Sequence, residues 1–531
     1  MSDNSINKEK DQHNELNAVI SITKEQIGTT EVITTFISPG GREVKVTGDV
    51  DEAMALALEA EVVEVDEETN ARILRKTDLY LMPVFCFLYA VQFMDKTTNS
   101  YAAIMGLKTD LHMVGNQYSW VGSAFYLGYL FFELPASYCL QRFPLAKATA
   151  AFIVIWAITL MLHATPNYAG FIFLRVALGG FESAVTPAMV ILTSQWYKKE
   201  EQFFRTAIWF SFNGFGIIFG SSIAYGISIH SENWSIEGWK VLFIITGLLT
   251  MVVGIVFLVH VPDNPSKAWF LTQEEKILVL NRIRTNNQGF GNKHFKMYQL
   301  KETLTDYRTW LYFTFAFLTN IPNGGLTNFG SILLSQDFNY GKLDALLMGM
   351  PSGAVELVGC ILFGFSVKFI KHRLAIALFS IVISLMASCL LAFCDYDKKA
   401  KLTGYYLSSL APVGMICCLS CFSSNVAGHT KKVTTNAIYL IGYCTGNIVG
   451  PQTFKENQAP HYSSAKIAMV ACYSIALVNL SMIYFSYWRD NRIRDKLEAE
   501  RIANGGPAFF MENQEFADLT DFENPNFRYA L

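Results

Sequence analysis

The chain has 531 residues, 51% of them hydrophobic and 14% aromatic, with a formal net charge of −3. With a positive mean hydropathy, it is too apolar for a soluble protein of this charge content and reads as a polytopic membrane protein. No basic arm points to nucleic acid, so none is expected as a partner.

Residues 1–76 read as a cytoplasmic N-terminal tail, largely disordered over its first 70 positions, where acidic and polar residues dominate. It lacks the short apolar core and small-residue cleavage site of a signal peptide, so targeting should come from the first span. Arg72, Arg75 and Lys76 precede that span, as a cytosolic flank requires. Apolar windows long enough to cross a bilayer fall near 79–101, 118–140, 147–165, 169–194, 205–229 and 239–261, the first six-helix bundle (77–261). A hydrophilic linker (262–308) follows, in which Thr272 and Glu275 have capping-box spacing before an amphipathic helix expected along the membrane surface. Six more windows, near 309–332, 343–369, 373–394, 402–426, 431–454 and 465–488, make the second bundle (309–488). A polar tail (489–531) closes the chain. The expected fold is an all-α membrane protein of twelve transmembrane helices in two six-helix halves.

Lys and Arg concentrate in the loops on the N-terminal side, above all in the linker, which places both termini in the cytosol. Lys398, Lys399 and Lys401 run against that rule. Asn233-Trp-Ser235 is a glycosylation sequon in a loop that this topology places outside.

A charge at the bilayer centre costs about 2.5–3.5 kcal/mol on insertion scales, so charges inside spans mark surfaces that face protein or water. Span four carries Arg175 and Glu182, two helical turns apart and so on one face, about 10 Å from each other along the axis. They line a common surface without touching. Span one carries Asp95 and Lys96. A carboxylate suits proton carriage because burial and a nearby cation push its proton affinity in opposite directions, and alternating access switches between the two. Asp95 is therefore read as a proton carrier and Lys96 as the attractor of an anionic substrate. The competing readings are interfacial snorkelling for Asp95 and Lys96 and a purely structural ion pair for Arg175 and Glu182.

Glu133 and Glu356, near Pro135 and Pro351, are candidate secondary acids or caps on broken helices. Gln92, Asn323, Asn425 and Asn447 are candidate amide ligands, with interhelical hydrogen bonding the commoner role of such residues. Ile321–Gly325, with its Pro-Asn-Gly-Gly run, is expected to break span seven at mid-depth and to make Asn323 the best of the group. No metal cluster, nucleophile triad or phosphate loop occurs in the soluble parts, so neither metal, cofactor nor enzymatic activity is expected.

Two six-helix halves joined by a charged linker is the pattern of major facilitator transporters. Specific runs narrow it: Tyr89–Lys96, Gln117-Tyr-Ser-Trp120, Glu200-Glu-Gln-Phe203, Asn320–Gly325, Gly353–Cys360, Gly450-Pro-Gln-Thr-Phe454 and Asp518–Tyr529. On these the chain resembles the fungal allantoate permease family, in the anion:cation symporter branch of that superfamily. The resemblance implies proton-coupled uptake of small ureido carboxylates (allantoate, ureidosuccinate) at the plasma membrane, with dipeptides as further candidate substrates; a monomer is expected. It implies proton-linked roles for Asp95 and Glu182 and substrate pairing by Lys96 and Arg175, with Lys96 standing where the family commonly has Arg. A symporter for another organic anion such as a vitamin, and a nutrient sensor that does not transport, are the alternatives.

Overall fold

The computed structural model of the protein describes residues 32–37, 43–47, 66–165, 167–231, 234–284, 296–367, 369–370, 372–503, 520–524 and 527–531. The sequon residue Asn233 lies outside them. In the tail expected to lack order, β1 (Val32–Ile37) pairs antiparallel with β2 (Glu43–Thr47).

The first six spans are α1 (Glu67–Ala102), α2 (Gln117–Arg142), α3 (Leu145–Leu162), the pair α4 (Tyr168–Glu182) and α5 (Val185–Trp196), α6 (Lys199–His230) and α7 (Gly238–His260). The linker holds α8 (Gln273–Arg284) and α9 (Met297–Thr305). The second six are α10 (Tyr307–Ile332), α11 (Lys342–Ser366), α12 (Arg373–Phe393), the pair α13 (Lys398–Leu407) and α14 (Ala411–Asn425), α15 (His429–Gln452) and α16 (Ser463–Ala503). Among the described residues, nine helical segments are long and apolar enough to cross a membrane on their own. The three remaining spans, α2, α10 and α15, are less apolar because they meet the opposite half and carry polar side chains there.

The second half repeats the packing of the first. Span one lies on spans five and six, span two on span four, and span three on span six; spans seven to twelve pair by the same scheme. The halves meet where α6 crosses α11 and α2 crosses α15. The first crossing is possible because two glycines face each other: a Cβ on Gly214 would sit 2.2 Å from the Gly353 carbonyl oxygen.

Two expectations are corrected. Span seven is not interrupted: α10 runs unbroken through Pro322. A proline removes one hydrogen bond, here that to the Leu318 carbonyl, and the helix continues past it; Gly324 beside it lets α15 pack closely, since a Cβ there would sit 2.8 Å from the Asn447 carbonyl oxygen. The break lies in span four, directly after Glu182, where Pro187 cannot donate to the Ser183 carbonyl. Span ten is jointed at the equivalent place, through a turn at Ser408–Leu410.

The linker helix α8 begins with the expected reciprocal cap, Glu275 N–H to Thr272 Oγ1 (3.2 Å) and Thr272 N–H to Glu275 Oε2 (3.0 Å). It does not lie free on a membrane surface. Arg282 is buried against the first half, donating to Asn70 (2.6 Å) and pairing with Glu201 (2.7 Å), and Lys76 pairs with Glu275 (2.7 Å). The anomalous lysines have a structural explanation at the end remote from the linker. Lys401 reaches Asp337 (2.9 Å) and Asp395 (2.6 Å), Lys466 joins Asp337 (2.7 Å), and Lys398 stands over the Tyr340 ring (3.6 Å). These charges tie spans seven, ten and twelve together.

Candidate functional site

Asp95 and Lys96 are adjacent on α1 and therefore point to different sides. Asp95 turns into the first half, where its Oδ2 accepts from Thr250 Oγ1 on α7 (3.1 Å) and its Oδ1 is buried without a partner. The indole of Trp156, also without a hydrogen-bond partner, is beside it. Lys96 turns towards the second half. Its Nζ lies 3.0 Å from Glu182 Oε1 and 5.9 Å from the Phe125 ring, with Tyr443 and Cys444 of α15 nearby. Asp95 sits a full turn inside α1 and is 0% exposed, which rules out snorkelling.

Glu182 ends α4 at the break, and its side chain is fully buried while that of Lys96 keeps 11% of its exposure. Arg175, two turns earlier, does not pair with it. The Arg175 guanidinium donates to Asn99 Oδ1 (3.0 Å) and lies between the Phe171 and Phe243 rings at 5.3 and 5.4 Å, with Nε unpartnered. Arg175 and Glu182 thus share a face without touching, and the cation of Glu182 comes from α1. Gln92, one turn before Lys96, lies beside Glu182 with Nε2 unpartnered. Span four reaches this position because Gly179 and Gly128 let it touch span two: a Cβ on either would sit 1.9 Å from a backbone oxygen, of Phe125 and Val176 respectively.

The second half contributes amides. Asn447 on α15 donates to Asn320 Oδ1 (3.1 Å) and to the Tyr443 carbonyl (2.9 Å), and accepts from Asn323 Nδ2 (3.1 Å). Both donors of Asn447 are consumed, so it acts as interhelical glue. Asn323 is half-buried and retains a carbonyl oxygen for which α10 and α15 supply no hydrogen bond. Asn425 is not part of this group: both its amide atoms are taken by the backbone of Ala530 (2.8 and 2.7 Å), at the linker end of the molecule. Its position near the end of an apolar window gave no hint of that.

Glu133 lies beside Tyr129 and Cys444 on the linker side of the Lys96–Glu182 pair. Glu356 lies instead at the α6–α11 crossing, beside Asn213. Each is buried with Oε1 unpartnered.

Hydrogen bonds that join the halves cluster at the end remote from the linker. Asn99 donates to Asn328 (3.3 Å), Tyr118 to the Asn328 carbonyl (2.7 Å), the Ser331 N–H to Ser100 (3.0 Å), Ser123 to the Ile448 carbonyl (2.7 Å) and Ser221 to the Leu346 carbonyl (2.6 Å). Asn99 links that seal to Arg175. Sequence reasoning missed Asn99 as a site residue although it stands one turn beyond Asp95, and it missed Asn328, Thr250 and Tyr443 because single polar residues in spans are common.

The model of the family described as "Major Facilitator Superfamily" matches residues 85–451. The chain belongs to the Major Facilitator Superfamily. It is similar to the allantoate permease of Saccharomyces cerevisiae, with 50% identity over 96% of this chain and 95% of the relative. An uncharacterized transporter of Schizosaccharomyces pombe is 51% identical over 91% and 94%. The thiamine pathway transporter of Saccharomyces cerevisiae is 31% identical over 100% and 99%. Among solved structures, a bacterial homologue of the human lysosomal transporter Spinster shares the fold at a TM-score of 0.56 and 16% identity, covering 77% of this chain and 97% of that one. The xylose transporter XylE of E. coli does so at 0.54 and 14%, covering 75% and 96%. This major facilitator protein is a multi-pass membrane protein and a secondary transporter of a small molecule, and its relatives are transporters rather than enzymes.

Proposed function

We propose that the protein is a proton-coupled importer of small ureido carboxylates, allantoate and ureidosuccinate among them, in the plasma membrane, acting as a monomer with both termini and the linker in the cytosol. The observation that carries the coupling is the buried Lys96–Glu182 pair at 3.0 Å, with Asp95 and Arg175 buried around it. The substrate class rests on the allantoate permease relative.

In this reading the far-end hydrogen bonds hold the outside closed. Protonation of Glu182, relayed through Asp95, releases Lys96 to pair with the substrate carboxylate, while Arg175 draws the anion inward and Asn323 and Gln92 meet its ureido group. Two sites whose charges depend on each other release ligand and proton together, which is what symport requires. Glu133 and Glu356 serve as secondary acids, Glu133 on the route to the linker side.

Asp95→Asn is expected to abolish concentrative uptake of radiolabelled allantoate while leaving counterflow exchange intact. Accumulation by that variant against a gradient would end the proton assignment. The thiamine pathway relative favours a vitamin as the rival substrate. Competition on allantoate uptake by ureidosuccinate, dipeptides and thiamine decides between them.

A further inference from the structure

The linker end of the second half holds a built site for a polypeptide segment, occupied by the turn Thr520–Asn524 and by Phe527–Leu531 of the same chain. Two asparagines grip its backbone with both amide atoms. Asn491 on α16 accepts from the Tyr529 N–H (2.9 Å) and donates to the Tyr529 carbonyl (2.8 Å). Asn425, the last residue of α14, does the same to Ala530 at 2.7 and 2.8 Å. Arg494 donates to the carbonyls of Asp521 (2.7 Å), Asn524 (3.2 Å) and Phe527 (2.7 Å).

Tyr529 is the anchor. It is 4% exposed, its ring lies 4.6 Å from Tyr487 and 4.8 Å from the guanidinium of Arg308, and its hydroxyl donates to Asp521 Oδ2 (2.9 Å). Buried Lys431, at the start of α15, pairs with Asp521 (2.7 Å) as well as Glu302 of the linker (2.8 Å). Reading of main-chain groups plus one buried aromatic is how grooves hold extended peptides.

What the segment holds is a jointed element. Span ten changes from α to 3-10 geometry at Ser408–Leu410, and the arm beyond that joint, α14, ends at Asn425. The bound segment fastens that end to α16 and, through Lys431, the start of α15 to the linker. We propose that Thr520–Asn524 and Phe527–Leu531 form a displaceable strap that pins the linker-side arm of span ten, and that its release permits the arm to swing when the linker side closes. This rests on the transporter reading only in its uptake measurement.

Cys421 lies under the strap, 0% exposed, its thiol facing the Ala530 carbonyl at 3.4 Å. Two substitutions in the strap itself spare the membrane body: Tyr529→Ala removes the anchor, and Ala530→Pro removes the N–H that Asn425 accepts. In native membranes, maleimide labelling of Cys421 read by mass spectrometry is expected to quicken at least tenfold in both, with buried Cys360 on α11 unchanged. Allantoate turnover per transporter is expected to rise at least threefold at unchanged KM. Unaltered Cys421 labelling in both variants overturns the strap, and faster labelling with unaltered turnover overturns its control of the arm. Should the parent chain not carry allantoate, the substrate reading fails, and Cys421 labelling still decides whether the strap is docked and displaceable.

Discussion

The two halves share one packing scheme and divide the chemistry unequally. The first buries Asp95, Glu133, Arg175 and Glu182 and brings the partly buried Lys96 against Glu182. The second, at the corresponding depth of α10 and α15, builds a neutral amide network from Asn320, Asn323 and Asn447. Of its buried charges, Lys401 and Lys466 stand at the far end, where they pair with Asp337, Lys431 stands at the linker end, and Glu356 lies where α11 crosses α6. One packing scheme thus carries an ion pair inside the first half and, on α10 and α15 of the second, a set of hydrogen-bonded amides. Charge in an apolar bundle is tolerated only where paired or hydrated, and the Lys96–Glu182 pair lies wholly within the first half.

The most severe way to break this division is to strand one charge. Lys96→Gln leaves Glu182 buried without its cation, a situation that costs about 3–5 kcal/mol in proteins. The variant is expected to lose most of its membrane abundance as well as its transport. The double variant Lys96→Gln/Glu182→Gln removes both charges, so abundance measured by immunoblot should recover while concentrative uptake stays at background. If the double variant accumulated substrate, the pair would be structural and the first half would lose its assigned role.

A smaller effect is expected across the divide. Asn447→Ala removes three hydrogen bonds, each worth about 0.5–1.5 kcal/mol net, and strands Asn320 and Asn323. Detergent-solubilised protein should melt several degrees lower. The pH dependence of residual uptake should be that of the parent, because no proton-linked group has been touched. A shifted pH profile would show that the amide network is coupled to the charges.

Asn323→Ala is milder still, since Asn323 keeps only one bond within the network. We expect KM for allantoate to rise about tenfold, the equivalent of about 1.4 kcal/mol, at unchanged turnover. A fall in turnover with KM unchanged would assign Asn323 to conformational change instead of recognition.

How much of this was legible follows from what is rare in a sequence. Asp95, Lys96, Arg175 and Glu182 stood out because charges in greasy helices are few; Asp95, Arg175 and Glu182 are buried, and Lys96 pairs with Glu182. Their partners did not: that Glu182 takes its cation from α1, and Arg175 its acceptor from Asn99 on the same helix, depends on the rotation of α1 and α4 about their axes. The interruption was expected at Pro322 and occurs before Pro187; the one hydrogen bond a proline removes does not by itself decide whether a helix breaks, and α1, α2, α11 and α15 also run on through prolines. Asn425 is the clearest failure. Its role is set by a segment more than a hundred residues later, and nothing local to α14 carries that information.

The smallest effect concerns the far-end charges of the second half, where Lys401 meets Asp337 and Asp395. The Lys401 ammonium donates to Asp395 at 2.6 Å and holds that carboxyl below its ordinary value of 3.8. A carboxylate with a depressed folded-state value stabilises the fold above its ordinary range, and that contribution disappears as pH falls through the lowered value. Asp395 is exposed, so solvent screening leaves the pair worth little. Asp395→Asn should therefore melt slightly below the parent at neutral pH, and the gap should close as pH is lowered past the ordinary carboxylate range. Proton-coupled uptake should retain its parental pH profile throughout. A change in that profile would mean that the far-end lysine network gates transport, and the separation of structural from coupling charges would have to be redrawn.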